Sequence, residues 1–178
     1  MPVDRFDVAL DLAAFLQDAP ADDEICLRLD AALRNVFGHR LFTVLVFDAQ
    51  QNLLKRLYSN RPDISPLGGA KRVGNSDWAR RVLREGQFFV GSTRADIQST
   101  FSEHQVLLKH GCESVLNIPV RVDGATVGTL NLLDHEHNYD NSDLRLARLF
   151  AQLMAQPMAR MLNKASLEPS ADVVIDVV

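Results

Sequence analysis

The sequence has no apolar run of the roughly 18 residues that a membrane-spanning helix needs. It has only two cysteines in 178 residues, Cys26 and Cys112. Two cysteines are too few for a disulfide framework or a cysteine-based metal site. Positive charge is not in excess either, because the formal net charge is −4. An acidic chain has no general attraction to nucleic acid or to an anionic membrane. We therefore expect neither among its partners.

The amino terminus also lacks the pattern of a secretory signal. Its first residues, MPVDRFDVAL, carry acidic groups where a signal peptide has positive charge ahead of an apolar core. Two reduced cysteines that form no disulfide fit a reducing compartment, so we expect a cytoplasmic protein. Hydrophobic residues make up 47% of the chain and charged residues 24%. These fractions are ordinary for a globular protein, and the length predicts one domain with a substantial core.

The most informative segment is Gly111–Asp134. Two apolar, β-prone runs, Ser114–Val122 and Thr126–Leu133, meet at Asp123-Gly124. A type I′ turn needs positive φ at both of its central residues. Glycine adopts positive φ freely, and aspartate tolerates it better than most residues. The segment therefore predicts an antiparallel hairpin.

The rest of the chain alternates short apolar runs with amphipathic segments. Strands that come in antiparallel pairs, with helices around them, predict an α+β fold with a central antiparallel sheet flanked by helices. Besides the hairpin, we expect strands at Leu41–Phe47, Leu53–Ser59 and Gln87–Gly91, helices at 4–18, 22–38, 76–85, 103–110 and 141–162, and irregular segments at 60–74 and 93–102.

Apolar residues cover more than one stripe of the final helix, including a seam of Met154, Met158 and Met161. Such a helix must be covered by the first helix or by a second copy of the chain. We expect the first and last helices to pack together and to form a two-fold homodimer interface through their outward apolar residues. The methionine seam is predicted to lie in this interface, and ordinary core packing is the alternative. Pro157 should kink this helix. The closing segment, Lys164–Val178, predicts either a loose end or a strand added to a sheet edge, within the chain or across a dimer.

The hairpin, the run Gly128-Thr-Leu-Asn-Leu-Leu and the segment Tyr139–Asp143 resemble, in order and spacing, the GAF domain family. This resemblance implies a sensory module of profilin-like, PAS-related architecture. It divides the chain into an N-terminal helix (residues 1–21), a GAF-like domain (22–162) and a C-terminal tail (163–178). It also implies an unidentified small molecule bound between one sheet face and the short helices, near Tyr58, Arg72, Trp78, Asp96, His104, Cys112 and Asn131.

Specialised members of the family make three comparisons possible. In bilin-binding members, Asp-Ile-Pro precedes a cysteine that bonds the chromophore. Here Asp96-Ile97-Gln98 lacks the proline and His104 matches the attachment position, which argues against a covalent bilin and leaves the cofactor undefined. The free methionine sulfoxide reductases use a nucleophilic cysteine that lines the pocket. The position of this chain that lies closest to that cysteine, counted back from the strand that begins at Ser114, is Leu108. Cys112 lies four residues away with no second thiol nearby in sequence.

The cyclic-nucleotide-binding members carry a pattern that this chain matches only in part. Tyr139 and Asp143 match its second half, but Leu144 replaces the glutamate and the Asn-Lys pair is absent. The resemblance to this class is therefore weak. His135-Glu136-His137 is not expected to bind a metal, because residues i and i+2 point to opposite sides of a strand.

Several candidate residues also have ordinary structural interpretations. Trp78 and Val82 share one helix face, which favours a place in the core. Cys112 fits a small, half-buried hydrophobe. Arg72 lies in a glycine-rich, basic loop that could act as a pocket lid, where a guanidinium could meet a carboxylate or phosphate.

The sequence thus favours a non-catalytic, ligand-binding sensory domain. We expect it to signal through a dimer or a signalling protein partner, because 178 residues leave no room for an attached kinase or cyclase. One alternative is a small thiol-dependent redox enzyme that uses Cys112. Another is a structural dimerisation module whose pocket is filled by its own side chains.

Overall fold

A mixed, mainly antiparallel sheet lies at the centre of the computed structural model, which describes residues 4–165 and 167–175. The strands are β1 (Leu41–Asp48), β2 (Leu53–Ser59), β3 (Ala70–Val73), β4 (Phe89–Gly91), β5 (Ser114–Val122), β6 (Ala125–Asp134) and β7 (Pro169–Ile175). The helices are α1 (Arg5–Leu16), α2 (Asp22–Phe37), a π-helix (Ala79–Arg84), α3 (Arg94–Thr100), α4 (His104–Lys109), α5 (Leu144–Leu153) and α6 (Ala155–Lys164).

The strand order is β4-β5-β6-β1-β2-β3-β7, and each pair is antiparallel except β3 with β7. The predicted α+β class and the predicted hairpin are both confirmed. The hairpin of β5 and β6 turns at Asp123 and Gly124, whose φ angles are +50° and +80°. Both central residues therefore have the positive φ that a type I′ turn demands.

The two faces of the sheet have different partners. On the helical face, Phe42, Leu130 and Leu132 pack against α2, α5 and α6. On the opposite face, which we call the cavity face, β1 and β6 present alternate residues to α3, α4 and the π-helix. Because successive side chains of a strand point to opposite faces, strands β1, β5 and β6 are buried on both sides.

The final helix is broken, as its proline predicts, but the break lies at Met154. Pro157 is the third residue of α6. Its ring conflicts with the carbonyl four residues earlier, at Leu153, and it has no N–H to donate there. Helix α5 accordingly ends at Leu153 and α6 begins at Ala155.

The methionine seam does not face outward, so its expected role in a dimer interface is wrong. Met154, Met158 and Met161 are buried in the core of their own chain, with at most 3% of each residue exposed. Met158 lies against Gly128 on β6, so close that a Cβ at Gly128 would overlap its methyl group. Any contact with a second copy must use other residues.

Two segments expected to be irregular contain regular structure. The segment 60–74 includes the short strand β3, and the segment 93–102 includes α3. Thr93 and Asp96 form a reciprocal capping box at the start of α3, a signal that the sequence contains. The tail adds to the edge of the sheet within its own chain, as β7 beside β3. Residues 176–178 of the predicted strand lie outside the described residues.

No helix within the described residues is both long enough and apolar enough to cross a membrane.

Gly128 offers a direct test of how tightly β6, β1 and α6 are packed. A methyl group there would overlap the backbone carbonyl of Leu45 as well as Met158. We expect Gly128→Ala to lower the free energy of unfolding by about 3 kcal/mol, the upper end of the usual cost of overpacking a core. Urea denaturation measures this change.

The matched control is Gly68→Ala, because nothing lies within 4 Å of its Cβ position. That variant should change the free energy of unfolding by less than about 1 kcal/mol. Equal effects of the two substitutions would contradict the close approach at Gly128.

Candidate functional site

A cavity lies between the cavity face of the sheet, the start of α4 and the loop that follows β2. It consists of two chambers that share Leu45, Arg56 and Glu103 as lining residues. The outer chamber has a volume of about 130 Å³ and is also lined by Leu54, Pro66, Leu67, Gly68, Gly69, Lys71 and Ser102. The inner chamber has about 30 Å³ and reaches Thr43, Ser65, Asn117 and Asn131.

The floor of the inner chamber is a chain of buried hydrogen bonds. The indole Nε1 of Trp78 donates to Asn117 Oδ1 at 2.9 Å. Asn117 Nδ2 then donates to Asn131 Oδ1 at 2.6 Å. Asn131 Nδ2 in turn lies 3.0 Å from Thr129 Oγ1 and 3.3 Å from Thr43 Oγ1. Because an indole can only donate, Trp78 fixes the orientation of both amides.

Arg56 brings a positive charge into the cavity. It pairs with Leu45 on β1, which places its side chain on the cavity face. Its Nη1 donates to the carbonyl of Pro66 at 2.8 Å. Its Nε is buried and has no hydrogen-bond partner among the described residues. Burial lowers the pKa of Arg56, and the charge of Glu103 partly offsets this effect.

Glu103 is the acidic residue of the lining. It precedes α4 in the N-cap position, but its side chain caps no backbone N–H. In the part of the chain that the structure describes, its carboxylate forms no ion pair within 4.0 Å, either with Arg56 or with Lys71. The cavity therefore contains charges of both signs that are not paired with each other.

Three of the expected site residues lie in or beside the cavity. Asn131 lines the inner chamber. Trp78 is buried beneath the floor, where it holds Asn117. Cys112 is fully buried next to Leu41 and Leu107, and it lines neither chamber.

Tyr58 and Arg72 lie away from the cavity. Tyr58 pairs with Val44, so its ring lies on the helical face, and its Oη donates to Asp30 Oδ2 at 2.6 Å. The cause is a bulge in the pairing of β1 and β2, where the register shifts between Val44 and Leu45. Arg72 is exposed on β3, and its neighbour Lys71 lines the outer chamber instead.

Asp96 and His104 serve local structure. The Asp96 carboxylate accepts hydrogen bonds from the backbone N–H groups of Ser92 and Thr93, at 2.8 and 2.9 Å. Burial tends to raise the pKa of Asp96, but these bonds outweigh it and the pKa is lowered. His104 Nδ1 lies 2.9 Å from the Phe101 carbonyl. Neither residue lines a chamber.

Sequence reasoning missed Arg56, Glu103 and Lys71. A signal for Arg56 is present, because it alternates with Leu54 along a strand whose first residues are apolar. The same alternation would place Tyr58 beside Arg56, and only the bulge separates them. No comparable pattern marks Glu103 or Lys71.

The two thiols lie in separate parts of the core. Cys26 packs on the helical face and Cys112 on the cavity face, so the sheet separates them. Burial, followed by the charges of Asp22 and Asp23, raises the pKa of Cys26 to about 12. Burial, followed by Asp134, raises the pKa of Cys112 to about 11.

Known proteins share this architecture. The family described as GAF domain matches residues 23–158. The GAF domain of a two-component sensor histidine kinase from Bacillus halodurans superposes with a TM-score of 0.59 and 21% identity, over 79% of this chain and 93% of that one. The GAF domain of the Acinetobacter phosphoenolpyruvate-protein phosphotransferase superposes with a TM-score of 0.66 and 9% identity, over 94% of this chain and 100% of that one.

Another structural neighbour is an enzyme, the free methionine-R-sulfoxide reductase of Neisseria meningitidis, in complex with its substrate. It superposes with a TM-score of 0.65 and 16% identity, over 88% of this chain and 90% of that one. No curated protein matches the chain. At these identities the solved structures establish the fold and leave the chemistry of the site to be argued from its residues.

The thiols lead to a prediction about reactivity. A thiolate is the reactive form of cysteine, and burial with a raised pKa suppresses it. We expect a maleimide reagent at pH 7.5 to modify neither cysteine of the folded protein within hours, and to modify both in urea. Mass spectrometry counts the adducts. Rapid modification of folded Cys112, or thiol-dependent turnover of free methionine sulfoxide, would contradict this expectation.

Proposed function

The chain belongs to the GAF domain family, and we propose that it is a sensory domain that binds a small molecule around Arg56 without transforming it. The observation that carries this proposal is the guanidinium itself. It lies in the cavity lining, with Nε buried and without a partner among the described residues.

The energetic reason is the cost of an uncompensated buried charge. A buried ion is stable only when a counter-ion or hydrogen bonds replace the water that it has lost. Arg56 has one backbone carbonyl as a partner and no carboxylate within 4.0 Å in the described part of the chain. An oxyanion of a ligand in the chambers would neutralise the charge of the guanidinium through short, charge-assisted hydrogen bonds.

The size of the cavity supports a small ligand. A cavity needs roughly 10–15 Å³ to hold one water molecule, so the outer chamber of about 130 Å³ has room for about ten water-sized groups and the inner chamber of about 30 Å³ for about two. Sites for drug-sized ligands are larger, at about 300–1,000 Å³. A bilin or a cyclic nucleotide would require a rearrangement of the lining, whereas a small metabolite would not.

The proposed absence of catalysis rests on the thiols. Reduction of a sulfoxide by a thiol requires that sulfur reach the substrate and that a second thiol resolve the product. Neither Cys26 nor Cys112 lines a chamber, and the sheet separates them. The structural alternative, a pocket filled by its own side chains, is less well supported because the outer chamber encloses about 130 Å³.

The output of the domain is proposed to pass through a homodimer and a signalling protein partner. Helix α1 presents Phe6 and Leu10, each 59% exposed, on the same side one turn apart. Burying a side chain of this size is worth about 1.5–3 kcal/mol, so a two-fold contact along α1 would bury four. Helix α1 also contacts α5, which packs on the sheet. The cytoplasmic location remains a prediction from the sequence.

Arg56→Met tests the binding site. Native mass spectrometry of gently purified protein should show a bound small molecule in the wild type and none in the variant. The stability of the empty variant should fall by no more than about 1 kcal/mol, the worth of the bond to Pro66, because an unpaired buried charge is removed as well.

The control is Arg148→Gln, since Arg148 is exposed, stacks on Phe88 and lines neither chamber. It should retain the bound mass. A wild type that carries no ligand and is stabilised by none of a panel of small anions would refute the proposal.

Leu10→Glu tests the homodimer. Leu10 is exposed within one chain, so a charge there should leave folding intact and prevent the contact. Sedimentation at micromolar concentration should show a dimer for the wild type and a monomer for the variant. Gln152→Glu, an exposed change on α5, should remain dimeric. A wild-type monomer would remove the proposed interface.

A further inference from the structure

From the charges that line the cavity we infer that the ligand is an acidic α-amino acid, of the aspartate or glutamate type. This inference rests on the proposed function, because it concerns the same cavity, and it adds the chemical class of the ligand.

The first step is the arrangement of the charged groups. The outer chamber is lined by Arg56, Lys71 and Glu103. Arg56 and Glu103 also line the inner chamber. None of the three forms an ion pair within 4.0 Å with another residue in the described part of the chain. Glu103 and Lys71 are partly exposed, whereas Arg56 Nε is buried without a partner, so most of the cost of an empty cavity falls on Arg56.

The second step is the net charge. Two cations and one anion give the lining a charge of about +1 at neutral pH. A ligand that neutralises every group must therefore carry two anionic groups and one cationic group. Simple anions fail this requirement, because a monocarboxylate or a dicarboxylate offers nothing to Glu103 and is repelled by it. An acidic amino acid has two carboxylates and one ammonium.

The third step is the fit of each group. Arg56 projects from the strand at the junction of the two chambers and can hold the α-carboxylate through its guanidinium group. Glu103 lines the same junction and can accept hydrogen bonds from the ammonium. Lys71 lines only the outer chamber, where the side-chain carboxylate would lie. The pairings satisfy all three residues and add no unpaired group.

The fourth step is size. At roughly 10–15 Å³ for each water-sized group, the outer chamber of about 130 Å³ has room for about ten such groups, which is the scale of glutamate. Leu45, Leu54 and Leu67 provide apolar contacts for the methylene groups. Asn117 and Asn131, which form the floor of the inner chamber, line that chamber together with Arg56.

The experiment compares ligands that differ by one group. Isothermal calorimetry with the full chain is performed with L-glutamate and L-aspartate, with glutarate, which lacks the ammonium, with 4-aminobutyrate, which lacks the α-carboxylate, and with L-alanine, which lacks the side-chain carboxylate. We expect an acidic amino acid to bind at least about tenfold more tightly than each of the other three, because each omission leaves one charged group of the lining without its counterpart in the ligand.

Variants assign the contacts. Glu103→Gln should reduce the preference for glutamate over glutarate by about tenfold or more, because glutarate is no longer repelled. Lys71→Met should reduce the preference for glutamate over alanine and leave the preference over glutarate intact. Arg56→Met should abolish binding of all of them. The matched control Glu85→Gln, an exposed change in the pair with Arg80, should alter none of these ratios.

The outcomes separate the two proposals. If glutarate binds as tightly as glutamate and Arg56→Met abolishes both, the ligand class is wrong and the proposed binding function stands. If the amino acids do not bind but native mass spectrometry shows an Arg56-dependent ligand of another kind, the ligand class is wrong as well. If no ligand binds in an Arg56-dependent manner, both proposals fail.

Discussion

Burial of the central strands on both faces is the constraint on which the rest of this structure depends. Strands β1, β5 and β6 have helices on one side and the cavity with its short helices on the other. A polar side chain on such strands must find a partner inside the protein. Asn117, Asn131 and Thr43 do so by bonding to one another and to Trp78. Three buried polar atoms are exceptions among the described residues: His39 Nδ1, Thr126 Oγ1 and Arg56 Nε have no hydrogen-bond partner. Of these three residues only Arg56 lines the cavity and carries a permanent charge, and that combination points to function.

The sequence predicts the parts of the fold that local chemistry determines. The hairpin follows from two apolar runs and a turn that needs positive φ, and both strands of the hairpin were predicted within one residue of their ends. The kink follows from Pro157. Strand β3 could not be predicted in this way, because its four residues, Ala70–Val73, are ordered by pairing with β2 and β7 rather than by their own propensity.

The candidate site was harder to predict, for a geometric reason. A single bulge between Val44 and Leu45 decides which residues of β2 face the cavity, and it moves Tyr58 to the helical face while Arg56 remains. One-residue shifts of this kind reverse the orientation of every later side chain. Glu103 reaches the cavity from the start of α4, and Lys71 reaches it from the short strand β3. Only the folded arrangement brings them together, so no spacing along the chain reveals them.

The position of β7 has a consequence for how the chain tolerates shortening. In the described residues β7 covers the outer edge of β3, the strand that carries Lys71. The sheet ends at β7, so loss of the segment after α6 would make β3, with four residues, the terminal strand in place of β7, with seven. Strand β3 would then be held by its pairing with β2 alone. Shortening of the chain would therefore loosen the strand that places Lys71 in the wall of the outer chamber.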